Sequence, residues 1–213
     1  MPGEQAVRQS YDAVAADYAE LLSDELAAKP MDRAILAAFA EYVTEDGGGP
    51  VLDVGCGPGR IADHLTTLGL AVRGVDLSQC MVDVARLRSP GIRFDQGGMT
   101  TLDVADEELA GILAWYSVIH TPTDELPAVF AEFARVLRPG GRLLLAFQVG
   151  DTPVELERAY GHAVCLVVHR RSVETVATLL ADAGLPVDAR VVRAPERWES
   201  SPQAFVFARR PHG

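Results

Sequence analysis

The sequence predicts an α/β protein with a doubly wound, mainly parallel sheet of seven strands. Short apolar runs typical of buried strands alternate with segments whose apolar residues recur at helical spacing. Glycine-containing turns follow several of the apolar runs. The last two runs are separated by only a short connection, which favours an antiparallel hairpin at the end of the sheet.

Two helices are expected ahead of the sheet. Residues 5–28 carry apolar side chains on one helical face, including Tyr11 and Tyr18. A second helix is expected from about residue 31 to residue 43, and a glycine-rich loop then leads into the first strand.

The remaining elements follow from apolar runs and from residues that begin or end helices. The predicted strands are the run that begins at Val51, then residues 71–76, 92–96, 109–116, 142–149, 187–192 and 204–209. The predicted helices cover residues 61–68, 78–88, 126–137 and 172–183. Residues 150–171 show a less regular pattern, with an apolar run at 163–168.

Composition and charge narrow the class of protein. A hydrophobic fraction of 48% and a charged fraction of 23% are typical of a globular domain. The net charge of −11 disfavours nucleic acids and anionic membranes as partners, because both require a basic surface. The three cysteines have no disulfide or metal-ligand spacing, and the N-terminus does not read as a signal peptide. We therefore expect a cytoplasmic protein with reduced thiols.

One stretch carries most of the chemical information. After the first strand, glycines occupy alternate positions at Gly55, Gly57 and Gly59, and a helix follows at once. Such a turn exposes bare backbone and the unpaired amides of a helix start to a ligand. Asp53 precedes the turn, and Asp76 ends the second strand at the distance where an acid meets ribose hydroxyls. These residues indicate a nucleotide-like ligand.

Three motifs in order resemble those of the class I S-adenosylmethionine-dependent methyltransferases. Residues 52–59 are close to the first motif of the family, residues 74–78 look like its second, and residues 136–143 are similar to its late helix-to-strand motif. The helix that carries Tyr11 and Tyr18 is similar to the family's N-terminal lid helix. The resemblance spans nearly the whole chain and implies a Rossmann-like fold with S-adenosylmethionine as the cofactor.

The resemblance also implies a set of cofactor-binding residues. The glycine turn would surround the methionine part, with Asp53 ordering that turn and meeting the amino group directly or through water. Asp76 would hold the ribose, and Leu77 and Met99 would lie on the two faces of the adenine. The full set is Tyr11, Tyr18, Asp53, Gly55, Cys56, Gly57, Gly59, Asp76, Leu77, Met81, Gly98, Met99 and Trp115. Core packing explains the two tyrosines as well as a lid does, and Cys56 is included because its amide can face the ligand.

The chain departs from the family pattern at Gly98. Many relatives carry an acid there, which accepts a hydrogen bond from the adenine amino group. The sequence Gly97-Gly98-Met99 offers no such side chain. Backbone, water or another side chain must make this contact, or it is lost.

The segment after the fourth strand is the candidate reaction site. Trp115 or Tyr116 could present a π face to a sulfonium cation, although at least one of them is expected in the core. His120 is the candidate general base, and the alternative is a histidine that bonds only to backbone at a helix entry. The sequence thus predicts one catalytic residue, His120, and places Tyr116 and His120 beside the acceptor.

The irregular stretch offers further candidate substrate contacts. His162, His169 and Arg170 or its neighbour Arg171 fall in a region where substrate recognition would be built. For the histidines, a solvated loop position is nearly as good an explanation. The spacing of His120, His162 and His169 shows no metal-binding regularity, so no metal site is expected.

These features predict a single domain, residues 1–213, that transfers a methyl group to an oxygen, nitrogen or carbon atom of a small molecule. Residues 1–45 would form the lid, residues 50–149 the cofactor-binding core, and residues 150–213 the substrate side and C-terminal hairpin. The acceptor could be a natural-product intermediate, and the chain a monomer or homodimer. Two alternatives stay open: a nicotinamide-dependent oxidoreductase, which would favour glycine where the chain has Arg60, and a non-catalytic S-adenosylmethionine-binding protein.

Overall fold

The computed structural model describes residues 3–196 and 199–212. Its strands are β1 (Pro50–Val54), β2 (Ala71–Asp76), β3 (Arg93–Gln96), β4 (Leu109–Trp115), β5 (Leu137–Gln148), β6 (Val154–Ala159), β7 (His162–Val168), β8 (Val187–Arg193) and β9 (Gln203–Arg209). Its α-helices are α1 (Glu4–Leu21), α2 (Pro30–Glu45), α3 (Arg60–Thr67), α4 (Gln79–Arg88), α5 (Leu126–Val136) and α6 (Val173–Asp182). Within these ranges no helix combines the length and apolarity needed to cross a bilayer.

Seven strands form one sheet in the order β3-β2-β1-β4-β5-β9-β8. The first five run parallel to one another, and β9 is antiparallel to both β5 and β8. The strand order reverses between β1 and β4, which creates the switch point where ligands bind in such sheets. The predicted doubly wound sheet with an antiparallel C-terminal strand is confirmed.

Strand β4 shows how the sheet divides the core. All seven of its residues are buried. Because side chains alternate along a strand, Ile112 packs with residues of α5 and α6, whereas Leu113 packs with residues of α2 and α3. Burial on both faces explains the nearly continuous apolar run in the sequence.

Two predictions about local structure are wrong. The first helix ends at Leu21, and a short 3-10 turn at Leu26–Ala28 separates it from α2. Residues 150–171 are not irregular, because β6 and β7 form an antiparallel hairpin of their own. Its turn uses Tyr160 and Gly161 at positive φ, without the Asn-Gly or Asp-Gly pair that marks such turns in a sequence. This hairpin packs against α1 and so supports the first helix.

Candidate active site

A cavity of about 1120 Å³ lies at the carboxyl ends of β1, β2 and β4. Helix α1 forms its roof, and the turn of the β6–β7 hairpin contributes to its wall. Most of the residues predicted from the sequence line this one cavity. They are Tyr11, Tyr18, Gly55, Gly57, Asp76, Leu77, Met81, Gly98, Met99, Trp115, Tyr116 and His120.

The glycine turn lies flat between two strand ends. The amide of Gly55 donates to the Val75 carbonyl at 2.7 Å, and Gly55 adopts a φ of +71°. A Cβ at this position would lie 2.3 Å from the Cβ of Ser117. Only glycine therefore fits at position 55, and its bare backbone faces the cavity.

Cys56 and Gly59 do not line the cavity, and the structure gives no support to their predicted place at the ligand. The Cys56 amide donates to the Val75 carbonyl, and its side chain is buried beside Phe94. Gly59 precedes α3 with a φ of +83°, and a Cβ there would lie 2.8 Å from the Phe94 ring. Close packing of α3 on the sheet explains both residues.

Asp76 connects the glycine turn to the end of β2. One carboxylate oxygen accepts from the Gly57 amide at 2.8 Å, and the other accepts from the Ser78 amide at 2.9 Å. Burial raises the pKa of Asp76, and these two amides act in the opposite direction. Since each carboxylate oxygen can accept a second hydrogen bond, Asp76 can also bind a pair of hydroxyls in the cavity.

Asp53 lies beneath the turn rather than on the cavity surface. It is 1% exposed, and within the described residues neither carboxylate oxygen makes a hydrogen bond of good geometry, although the nearby Ala62 amide acts to lower its pKa. Burial, followed by the charge of Asp76, raises the pKa of Asp53 to about 7. A buried carboxylate without partners is costly. The site thus fits a ligand that brings a cationic amino group close to the turn.

The pKa of Asp53 predicts a pH dependence of stability. In the ligand-free chain, the folded state holds the Asp53 proton up to about pH 7, whereas the unfolded state releases it near pH 4. Stability therefore falls as pH rises through this window, by on the order of a few kcal/mol. Denaturation in urea from pH 4.5 to pH 7.5 should show this fall, and the Asp53→Asn variant should reduce it. An identical pH profile in the variant would contradict the assignment.

Leu77, Met99 and the Gly97-Gly98 backbone also line the cavity. The Gly97 amide donates to the Asp76 carbonyl at 2.9 Å, so this part of the lining adjoins Asp76 directly. Thr121 contacts the Met99 sulfur at 3.6 Å and holds that side chain in place.

Trp115 and Tyr116 occupy different environments after β4. Trp115 is only 7% exposed and packs on Phe205 with ring centroids 5.3 Å apart, so it belongs mainly to the core. Tyr116 adopts a φ of +55°, which turns its side chain toward the cavity. Its hydroxyl is buried without a hydrogen-bond partner in the described ranges, and burial raises its pKa.

His120 has both ring nitrogens engaged. Nδ1 lies 2.8 Å from the Val167 carbonyl, and Nε2 lies 2.7 Å from the Tyr11 hydroxyl. Because a carbonyl only accepts, we assign the proton to Nδ1, so Nε2 accepts from Tyr11. Burial lowers the pKa of His120 to about 4, and the ring is neutral at pH 7. Tyr11 thus links helix α1 to Nε2, the ring nitrogen of His120 that carries the free lone pair.

Arg171 holds the segment that carries His120. Its guanidinium is 3% exposed and donates to the carbonyls of Val118, His169 and Thr121 and to the Thr123 hydroxyl. Burial lowers the pKa of Arg171 to about 10, so the side chain stays charged at pH 7. The sequence placed Arg171 among possible substrate contacts, but the structure gives it a positioning role.

His162, His169 and Arg170 do not line the cavity, although Arg170 bonds to Gln148 and Ser200, which do. His162 bonds to Asp17 on the outer side of α1. His169 is 8% exposed beside Arg171, and burial and that charge lower its pKa. Arg170 donates to Gln148 and Ser200 and covers Gly150. The strand pairing of the β6–β7 hairpin and the packing of Arg171 determine where these three side chains lie.

Sequence reasoning missed a charged rim at one end of the cavity. Glu25 pairs with Arg60 at 2.6 Å and with Lys29 at 2.8 Å, and Lys29 also contacts Glu199 at 3.1 Å. The i,i+4 spacing of Glu25 and Lys29 was visible in the sequence. The bonds to Arg60 and Glu199 join distant segments, so no local pattern indicates them.

Comparisons with known proteins find methyltransferases among the similar sequences. Residues 51–141 match a family model described as "Methyltransferase domain". The chain is 36% identical over 169 residues to methyltransferase GfsG of Streptomyces halstedii, an alignment that covers 70% of this chain and 60% of that protein. It spans 60%, 51% and 47% of the lengths of three curated relatives that it matches.

Solved structures share the fold. One is the Burkholderia thailandensis 1,6-didemethyltoxoflavin-N1-methyltransferase with bound S-adenosylhomocysteine, at a TM-score of 0.75 and 21% identity, covering 99% of this chain and 92% of that one. Another is the [4+2]-cyclase SpnF, at a TM-score of 0.73 and 20% identity, covering 100% of this chain and 97% of that one. Residues 51–141 thus resemble a methyltransferase domain, and the chain shares its fold with these two solved proteins.

Proposed function

We propose that this chain transfers a methyl group from S-adenosylmethionine to a small molecule. One observation carries the proposal: a single continuous cavity joins the glycine turn and Asp76 to the His120–Tyr11 pair. Its volume of about 1120 Å³ exceeds the roughly 300–1000 Å³ usual for one ligand. The space therefore suits a cofactor and a small acceptor together.

The residues of the chain fit the cofactor in charge and shape. Gly55 and Gly57 offer bare backbone, Asp76 offers acceptors for two hydroxyls, and the buried acid Asp53 beneath the turn favours a cationic amino group nearby. S-adenosylmethionine supplies a methyl group bound to a sulfonium sulfur. After transfer the sulfur leaves as a neutral thioether, so the leaving group requires no acid. The protein contributes mainly by holding donor and acceptor in line, which can lower the barrier by several kcal/mol.

His120 is the proposed proton acceptor. An acceptor hydroxyl that takes the place of the Tyr11 hydroxyl can pass its proton to Nε2, while Nδ1–H keeps its bond to Val167. A pKa of about 4 leaves His120 neutral at pH 7 but weakly basic. This favours an acceptor whose O–H or N–H is itself acidic, such as a phenol or an enol.

His120→Ala is expected to lower turnover by roughly 10²-fold or more, in line with the usual contribution of general-base catalysis. Its affinity for S-adenosylhomocysteine should stay within about twofold. The measurement is S-adenosylmethionine consumption with a panel of small phenols, enols and amines, together with calorimetry. His162→Ala, outside the cavity, is the matched control and should retain full turnover. Equal rates in His120→Ala and the unmodified chain would remove His120 from the mechanism.

The fold alone does not establish methyl transfer, because a protein named as a cyclase shares it, so the alternative of a non-catalytic S-adenosylmethionine-binding protein stays open. Binding of S-adenosylmethionine without its consumption across the acceptor panel would favour that alternative. The net charge of −11 supports a small acceptor over a nucleic acid. A monomer or homodimer in the cytoplasm remains the expected state.

A further inference from the structure

Glu4, the first residue of α1, occupies the place of a side chain at position 98. A Cβ built on Gly98 would lie 2.7 Å from Oε1 of Glu4, and only Glu4 atoms lie within 4 Å of it. Both residues line the cavity. A side chain at position 98 and the present position of Glu4 therefore exclude each other.

Glu4 lies on the face of α1 that lines the cavity. Glu4, Val7, Tyr11 and Tyr18 recur at spacings of three, four and seven residues, and all of them line the cavity. The carboxylate of Glu4 is thus part of the same helix face that reaches His120 through Tyr11.

Several bonds fix α1 over the sheet. Asp12 accepts from the Ser78 hydroxyl at 2.6 Å and from the Cys80 amide at 3.2 Å. Ser10 accepts from the Cys165 amide at 2.9 Å. These contacts tie the helix to α4 and to β7, and so fix the backbone of α1 that brings the exposed Glu4 side chain to Gly98.

The end of the cavity near Gly98 is where the base of a nucleoside would lie. Asp76 and Gln96 are register partners at the ends of β2 and β3, and Gly97 bonds to the Asp76 backbone. A ribose held by the Asp76 carboxylate directs its base onward, between Leu77 and Met99 and toward Gly98. This placement rests on the proposed function.

We propose that the Glu4 carboxylate accepts a hydrogen bond from the exocyclic amino group of adenine, in place of a side chain at position 98. Adenine carries a donor at this edge, and a carboxylate is a strong, purely accepting partner for it. Since Glu4 belongs to α1, this hydrogen bond would make the helix itself part of the base-binding site.

The test is calorimetric titration with S-adenosylhomocysteine and with an analogue whose purine lacks the 6-amino group. Glu4→Ala should bind S-adenosylhomocysteine roughly tenfold more weakly, whereas its affinity for the analogue should not change. Glu20→Ala, an exposed glutamate on the same helix but outside the cavity, is the control and should match the unmodified chain for both ligands.

A second variant distinguishes loss of the Glu4 carboxylate from a general loosening of α1. Gly98 lacks a positive φ, so Gly98→Asp in the Glu4→Ala background supplies a carboxylate from the other side and should restore affinity for S-adenosylhomocysteine. Equal losses for both ligands, or no loss, in Glu4→Ala would overturn the role of Glu4. A failure of the unmodified chain to bind S-adenosylhomocysteine would instead overturn the proposed function.

Discussion

Asp76→Ala is expected to weaken S-adenosylhomocysteine binding by about 100-fold or more. In the proposed complex the substitution would remove the acceptors for two ribose hydroxyls, and each charge-assisted hydrogen bond contributes about 1.5–3 kcal/mol. It also frees the Gly57 and Ser78 amides, which bond to the Asp76 carboxylate at 2.8 and 2.9 Å. The glycine turn therefore loses one of its supports together with the ligand contact. Isothermal titration calorimetry measures the change.

Asp83→Ala is the matched control for this experiment. Asp83 is a carboxylate on α4, close to Asp76 in sequence, but its side chain is 59% exposed and lies outside the cavity. Its replacement should leave affinity within about twofold, as is usual for exposed positions. Unchanged affinity in Asp76→Ala would show that Asp76 does not hold the ribose.

Arg171→Met is expected to lower the free energy of unfolding by about 3 kcal/mol or more. The methionine keeps much of the side-chain volume but leaves the carbonyls of Thr121 and His169 without their donor, whereas the Val118 carbonyl keeps the Thr121 amide. Each buried polar group left unpaired costs about 1–3 kcal/mol. For a chain of this size, Tm should fall by roughly 6 to 12 °C. Thermal unfolding measured by circular dichroism gives the value.

The neighbouring arginine provides the control. Arg170→Met removes bonds to Gln148 and to the exposed Ser200, so the loss should stay below about 1 kcal/mol. A comparable loss in both variants would show that the buried carbonyl contacts of Arg171 have no special weight. At temperatures where the variant is still folded, Arg171→Met should also have a lower turnover. The reason is that the segment from Val118 to Thr121 carries His120.

The sheet could be predicted from sequence because its signals are local. Strand β4 is buried on both faces and reads as one apolar run, and the turns after β1 and β2 carry glycines and acids at fixed spacing. Parallel pairing then brings Asp53, Gly55 and Asp76 to the same edge, whatever the details of the loops.

The roof and wall of the cavity could not be predicted in the same way. The β6–β7 hairpin turns at Tyr160 and Gly161 without the usual turn pair, so it looked like a loop. Tyr11 contacts His120 across 109 residues, and Glu4 meets Gly98 across nearly as many. Such contacts depend on the packing of α1, which no local pattern in either segment specifies.

Residue type alone also misassigned several side chains. Cys56 and Gly59 stand inside the glycine motif, yet close packing on Phe94 explains them. Arg170 and Arg171 are adjacent and chemically identical, but one lies near the surface and the other is buried among carbonyls. The directions of Arg170 and Arg171 follow from the connection between β7 and α6, in which both residues lie.

One titration tests the central claim most directly: S-adenosylhomocysteine and, separately, a nicotinamide dinucleotide are titrated into the purified chain. The glycine turn, Asp53 and Asp76 predict saturable one-to-one binding of S-adenosylhomocysteine and no binding of the dinucleotide, since Arg60 stands where a dinucleotide site favours glycine. Binding of the dinucleotide without binding of S-adenosylhomocysteine would contradict the account.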